Sequence, residues 1–197
     1  MREVTPAAIL DLYPAAPLRD RLVVLREVQP ADVALPLELA LDPYVPLIGS
    51  LPARASREQA LDWIDRQRGS RMAQRLGLTF AVAEAGTDRA VGHVGLWLAE
   101  LPEGRAHAGY SIAPSARGRG LAAAALQRLT RFAWTIDGLH RVELHIEPWN
   151  LASVRTAERA GYQQEGLLRS HQEIGGRRRD MLLMSAIRPA DQTTASP

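Results

Sequence analysis

The chain is 197 residues long, enough for one sizeable domain with its own core or for two small ones. It is 46% hydrophobic and 23% charged with a formal net charge of +2, ordinary for a globular protein and too little charge to argue for nucleic acid. There is no cysteine and no lysine, so disulfides, thiolate nucleophiles and cysteine-based metal centres are excluded, and all 24 basic residues are arginine. The five histidines (His93, His107, His140, His145, His171) show no tight ligand spacing, so no metal is expected. No apolar run approaches the roughly 18 residues of a membrane span. The Met-Arg-Glu start shows no signal-peptide pattern. A cytoplasmic protein without a membrane partner is the expectation.

Residues 1–19, interrupted by Pro6, Pro14 and Pro17, read as an extended lead-in to a domain over 20–188. Arg21–Val28, β-branched and apolar, predicts a first strand. Pro30 opens a helix to about Leu41, and Pro43, Pro46 and Pro52 mark a loop. Ser56 with Gln59 three residues on predicts a capped helix to Arg68. Leu78–Glu84 and Ala90–Glu100 form an expected hairpin around Gly86-Thr87-Asp88, and Arg105–Ala113 a further antiparallel strand. Leu121, Ala125, Leu129 and Phe132 make one buried helical face. Arg141–Glu147 alternates strictly, with Val142, Leu144 and Ile146 on one side. Asn150 caps a helix that stops at Gly161. Two strands, Gln163–Ile174 and Arg177–Ile187, turn at Gly175-Gly176, and 189–197 reads as a disordered tail. The basic run Arg177-Arg178-Arg179 reads as a solvated hairpin. This order predicts an α+β domain, a mixed and mostly antiparallel sheet with helices on both faces.

One stretch carries chemistry. Gly109–Pro114 is a strand and a break; Ser115–Gly120 is a glycine-rich turn, and a helix follows at once. Gly118 and Gly120 let the backbone approach a ligand and adopt positive φ. The helix that follows offers unpaired N–H groups and the positive end of its dipole. Together these make an anion cradle, with phosphate its usual occupant. Arg117 and Arg119 add expected fixed charge beside it. A Walker A loop is excluded, because Leu121 and Ala122 stand where Lys and Ser or Thr belong. A dinucleotide fingerprint lacks its third glycine.

The pattern Arg117-x-x-Gly120-x-Ala122 resembles the pyrophosphate loop of the GNAT superfamily of acyl-CoA N-acyltransferases. One strand later, Asn150-x-x-Ser153 and Glu158-x-x-Gly161-Tyr162 are similar to the branch that acetylates ribosomal-protein N-termini. Arg21–Arg26, Gly109–Pro114, Glu165–Arg169 and Gly176–Asp180 resemble that branch's blocks in order, over about residues 18–188. The resemblance implies a GNAT fold in which the strands ending at Ala113 and Glu147 splay apart. It implies that the pantetheine of acetyl-CoA pairs with Ser111, Ile112 and Ala113. Amides of Arg117, Gly118, Arg119, Gly120, Leu121 and Ala122 would hold the pyrophosphate. Asn150 would bond the pantetheine arm, and Ser153 would lie near the thioester sulfur.

Acyl transfer to an amine needs a neutral amine, a donor for the oxyanion and help for the departing thiolate. A backbone N–H near Ile112 suits the oxyanion, and one such donor is worth roughly 3 kcal/mol. Ser153 is the candidate donor to sulfur, against the alternative that it bonds only its own helix. His145 is the candidate base, five residues before Asn150, where the resemblance implies a Glu in alanine N-acetyltransferases. Glu143 and Glu147 on its face are expected to raise its pKa. The alternative, a strand histidine in a charge ladder, stays open. His107 and Ser111 share one face of the cofactor strand and are candidate acceptor-site lining. Two departures count: Ala157 replaces the Tyr acid of alanine acetyltransferases, and Gln172 stands where the ribosomal branch often has Glu. The partners implied are acetyl-CoA, as co-substrate, and a primary amine, either a peptide N-terminus or a small molecule such as an aminoglycoside or polyamine. Succinyl-CoA or another acyl-CoA, and a non-catalytic CoA-binding module, remain alternatives. A homodimer paired through the final strands is also open.

Overall fold

In a computed structural model, described for residues 4–190 and for the backbone alone at 70 and 71, eight strands form one sheet in the order β1-β2-β3-β4-β5-β6-β8-β7. They are β1 (Leu18–Arg19), β2 (Val23–Arg26), β3 (Gly77–Glu84), β4 (Ala90–Trp97), β5 (Arg105–Ile112), β6 (Arg141–Ile146), β7 (Gln163–Ile174) and β8 (Arg177–Ile187). Every neighbouring pair is antiparallel except β5 with β6. The expected α+β architecture, mixed and mostly antiparallel, is the one observed.

Among the described residues seven α-helices cover the sheet: α1 (Pro6–Asp11), α2 (Ala34–Leu39), α3 (Val45–Ile48), α4 (Arg57–Gln67), α5 (Gly69–Ala73), α6 (Leu121–Ala133) and α7 (Leu151–Arg159). The anticipated stripe of α6 is buried, and Leu121, Ala125, Leu126 and Leu129 join Val94, Leu96, Ala106 and Leu144 in the larger core. A second core on the other face joins α2 and α4 to Val28, Ala81 and Ala113, through Leu35, Leu39, Trp63 and Ile64. Helices therefore lie on both faces.

The local signals hold where capping chemistry is explicit. Ser56 Oγ accepts from Gln59 N at 3.2 Å while Gln59 Oε1 accepts from Ser56 N at 2.9 Å. Asn150 Oδ1 accepts from Ser153 N at 3.2 Å, and Gly161, at φ +92°, ends α7. The Gly175-Gly176 turn has φ of +57° and +72°, as a tight hairpin requires.

Three local expectations need correction. The lead-in 1–19 is not simply extended: Thr5 caps α1 through a bond from Ala8 N, and Leu18–Arg19 pairs with β2. The proline-marked loop contains α3, because Pro46 sits in its first turn and Asp42 Oδ1 accepts from Tyr44 N and Val45 N at 2.8 and 2.9 Å. The short helix α5 follows α4 directly and was not anticipated. Of the tail 189–197, residues from 191 onward lie outside the described part.

His93 on β4 is half-buried and stands edge-on to the Trp63 ring at 5.1 Å, and its buried Nδ1 has no hydrogen-bond partner. Burial pushes its pKa down from 6.5 to about 4. A histidine with a depressed folded pKa lends stability above its unfolded pKa and withdraws it as pH falls. Between pH 6.5 and 4 the unfolded chain therefore takes a proton that the folded chain refuses, a loss of about 3 kcal/mol. Urea midpoints are expected to fall more steeply across that window in the wild type than in His93→Leu; parallel slopes would contradict this.

Candidate active site

The turn before α6 has the backbone that its glycines foretold. Gly118 and Gly120 both take φ +77°, and Gly120 is the N-cap of α6 with no side chain capping the first turn. Nothing lies within 4 Å of where a Cβ would stand on either, so both face open space. The amides at the start of this 13-residue helix, with its dipole, form the cradle. The arginines do not act as expected. Arg117 Nε donates to Ile112 O at 3.0 Å, and its guanidinium meets Asp42 at 2.7 Å. Arg119 pairs with Glu84 at 2.6 Å, turned away from the cradle. Their charge is largely balanced by Asp42 and Glu84, so less of the anion attraction is theirs. Two cations not foreseen, Arg155 and Arg159 on α7, line the same cavity.

The strands next to the turn part. β5 and β6 pair only as Arg105↔Arg141, Ala106↔Val142 and His107↔Glu143, although β5 runs on to Ile112 and β6 to Ile146. Ala113 N donates to Val91 O, so by strand alternation Tyr110 and Ile112 direct their backbone groups toward the gap. The Ile112 carbonyl is already taken by Arg117. A cavity of about 550 Å³ runs along this gap to the cradle. Of the residues singled out from sequence, Ser111, Ile112, Arg117, Gly118, Gly120, Leu121, Ala122, Asn150 and Ser153 line it; Ala113, Arg119 and His145 do not. Tyr110, passed over in the sequence, lines it too and donates from its hydroxyl to Ser153 O at 3.3 Å. Burial raises the Tyr110 pKa, so that hydroxyl keeps its proton.

His145 stands in a cluster at the foot of the gap. Its ring centroid is 5.0 Å from His107 on β5 and 4.6 Å from His171 on β7. Its Nε2 is 3.9 Å from Glu143, which is equally far from His107, and His107 bonds Glu100 at 3.3 Å. The expected upward pKa shift is reversed: burial first, then His107 and His171, pull His145 below 6.5 against the opposing pull of Glu143 and Glu100. Glu147 is not among the groups that shift His145. It is buried, 3.5 Å from the Arg179 guanidinium, and with burial it holds the Tyr44 hydroxyl well above its usual pKa. Sequence spacing hid the fact that His107, Glu143 and His145 place potential ligand atoms within 4.8 Å of one another. Glu143 is, however, bound by Arg141, whose guanidinium would repel a metal ion there. The cluster suits proton transfer better than metal binding.

An anion cradle thus opens into a gap between two parting strands. The chain matches the acetyltransferase (GNAT) domain over residues 22–163 and belongs to that family. It is 31% identical over 109 residues to p20, an uncharacterised N-acetyltransferase of Bacillus licheniformis, covering 55% of this chain and 61% of that one. It is 30% identical over 116 residues to a probable N-acetyltransferase, YjcK, of Bacillus subtilis, covering 57% of this chain and 63% of that one. These matches span only about three fifths of the relatives' length. Among solved structures it is similar to Mycobacterium smegmatis RimJ in complex with CoA-disulfide, with TM-score 0.73 and 27% identity over 94% of this chain and 92% of that one. Among the described residues no helix is long and apolar enough to cross a membrane.

Proposed function

We propose that this chain transfers the acetyl group of acetyl-CoA to a primary amine by direct attack on the thioester. The observation that carries the reading is the single 550 Å³ cavity joining the Gly118–Gly120 cradle to the β5/β6 gap. The relative's complex with CoA-disulfide supports the same ligand. In this reading the amides from Arg117 to Ala122 hold the pyrophosphate, and the pantetheine arm lies along Ser111 to Ala113, with the Tyr110 backbone supplying the free edge and the Ile112 N–H left for the reacting carbonyl. Asn150 bonds the arm with its carboxamide NH₂, since its oxygen caps α7.

The amine nitrogen bonds to the acetyl carbon, the oxyanion takes the Ile112 N–H, and the C–S bond breaks with its electron pair going to sulfur. Ser153 donates a hydrogen bond to that sulfur, and Tyr110 steadies the Ser153 carbonyl beside it. The proton lost by the amine passes through solvent to His145, which is absent from the cavity wall. Thiol release from acetyl-CoA with a panel of amines tests the reaction. Because the chain has no lysine, acetyl label on a primary amine of the protein itself could come only from its N-terminus. Coenzyme A binding without release to any amine would leave a binding module and overturn the catalytic reading.

His145→Gln is expected to lower kcat by roughly 10²-fold, the lower end of what a positioned base contributes. The base works when neutral, so the rate rises with pH through the His145 pKa. The acid limb is therefore placed below pH 6.5, shaped by His107, Glu143, Glu100 and His171 around the ring. An unchanged pH profile in the variant would exclude His145.

A further inference from the structure

A second hollow, of about 360 Å³, shares Tyr110 and Ser111 of β5, and Val45 and Ile48 of α3, with the first. Its wall is apolar and aromatic, with Leu39, Leu51, Trp63, Met72 and Trp97 among its residues. Among the described residues no carboxylate lines it, and Arg75 is the one charged side chain. His93 stands in the same wall, and burial keeps it neutral at physiological pH.

The floor is built for an indole. Gly77 opens β3, and Gly95 and Gly109 lie within the next two strands, where glycine weakens a sheet and marks a close approach. A Cβ on Gly77 would stand 3.1 Å from Trp97 Cδ1, one on Gly95 2.9 Å from its Cη2, and one on Gly109 3.1 Å from its Cζ3. These contacts touch both ends of the indole, so the ring lies along the sheet over the three bare positions. Turns do not explain these glycines, since none of the three has positive φ.

Resting on the acetyl-transfer reading above, we infer that this hollow seats the body of the acceptor and that the acceptor is a primary amine bearing an aromatic group. The amine sits where the two hollows meet, at Tyr110 and Ser111, and the ring lies on Trp97. A polyamine or aminoglycoside fits poorly, because its further ammonium groups would enter a wall without a carboxylate and beside Arg75. A small arylalkylamine and a peptide opening with an aromatic residue share the chemistry.

The test compares acetyl-CoA turnover with 2-phenylethylamine, a Phe-initiated tetrapeptide, a Ser-initiated tetrapeptide and spermidine. At least one aromatic amine is expected to exceed spermidine and the Ser peptide by about 100-fold in kcat/KM. Which aromatic amine leads tells a small-molecule acceptor from a peptide one. Trp97→Leu is expected to raise KM for the aromatic amine about tenfold, with coenzyme A affinity by calorimetry as the control for folding. Preference for spermidine or the Ser peptide overturns the inference and leaves the acetyl-transfer reading standing. If no amine is acetylated, quenching of tryptophan fluorescence by 2-phenylethylamine decides: saturable quenching lost in Trp97→Leu supports the seat, and its absence from the wild type overturns it.

Discussion

Gly120→Glu is expected to weaken coenzyme A binding by at least about 100-fold, or roughly 3 kcal/mol. Two costs combine. A side chain at φ +77° strains the backbone by roughly 1–2 kcal/mol and tilts the amides away from their ligand. The new carboxylate also stands at the N-terminus of α6, in the space a phosphate would take. That space is empty of protein within 4 Å, so the fold has room for the change and the loss falls on the ligand. Gly120→Ala isolates the strain and is expected to lose no more than about tenfold. Calorimetry with coenzyme A measures both, and equal affinities in wild type and Gly120→Glu would refute the cradle.

Asp32→Ala carries the largest expected loss of stability, about 3 kcal/mol or more. Arg26 on β2 meets Asp32 through two bonds of 2.8 Å, with both residues buried. Truncating one partner of a buried pair leaves the other charge uncompensated, which costs roughly 3–5 kcal/mol. Asp88, which also binds Arg26 at 3.1 Å, softens this because its side chain is largely exposed and can follow the guanidinium. Asp32 further accepts from Gln29 N at 2.8 Å, fixing the turn that leads into α2. Equilibrium urea unfolding is the measurement. A loss under 1 kcal/mol would refute the account, and Arg26→Met with Asp32→Leu is expected to recover most of the deficit.

Much of this molecule was legible because its signals are local. The period-two run of β6, the stripe of α6, the Ser56–Gln59 box and the glycine turn each set their own conformation within a few residues. Short helices were harder. Six residues of α1 and five of α5 hold their shape through the tertiary packing around Ile9 and Ala73, which periodicity does not register. The charges around the cradle were misread for a related reason. Asp42 and Glu84 reach Arg117 and Arg119 from far along the chain, and only the folded sheet brings them together. The histidine cluster is the same case, since His107, His145 and His171 come from three strands. Tyr110 had a readable signal: in an alternating strand it shares the inward face of Ala106, Ala108 and Ile112.

The stretch Asp42–Ile48 works as a common partition. Asp42 clips it to Arg117 in the turn, Tyr44 leans on Trp149 with ring centroids 5.0 Å apart, and Val45 and Ile48 face both hollows. With the proposed ligands in place, the donor and acceptor chambers share one wall instead of having separate linings. A shift that widens one chamber narrows the other, so from this side of the molecule neither ligand's fit can be retuned alone.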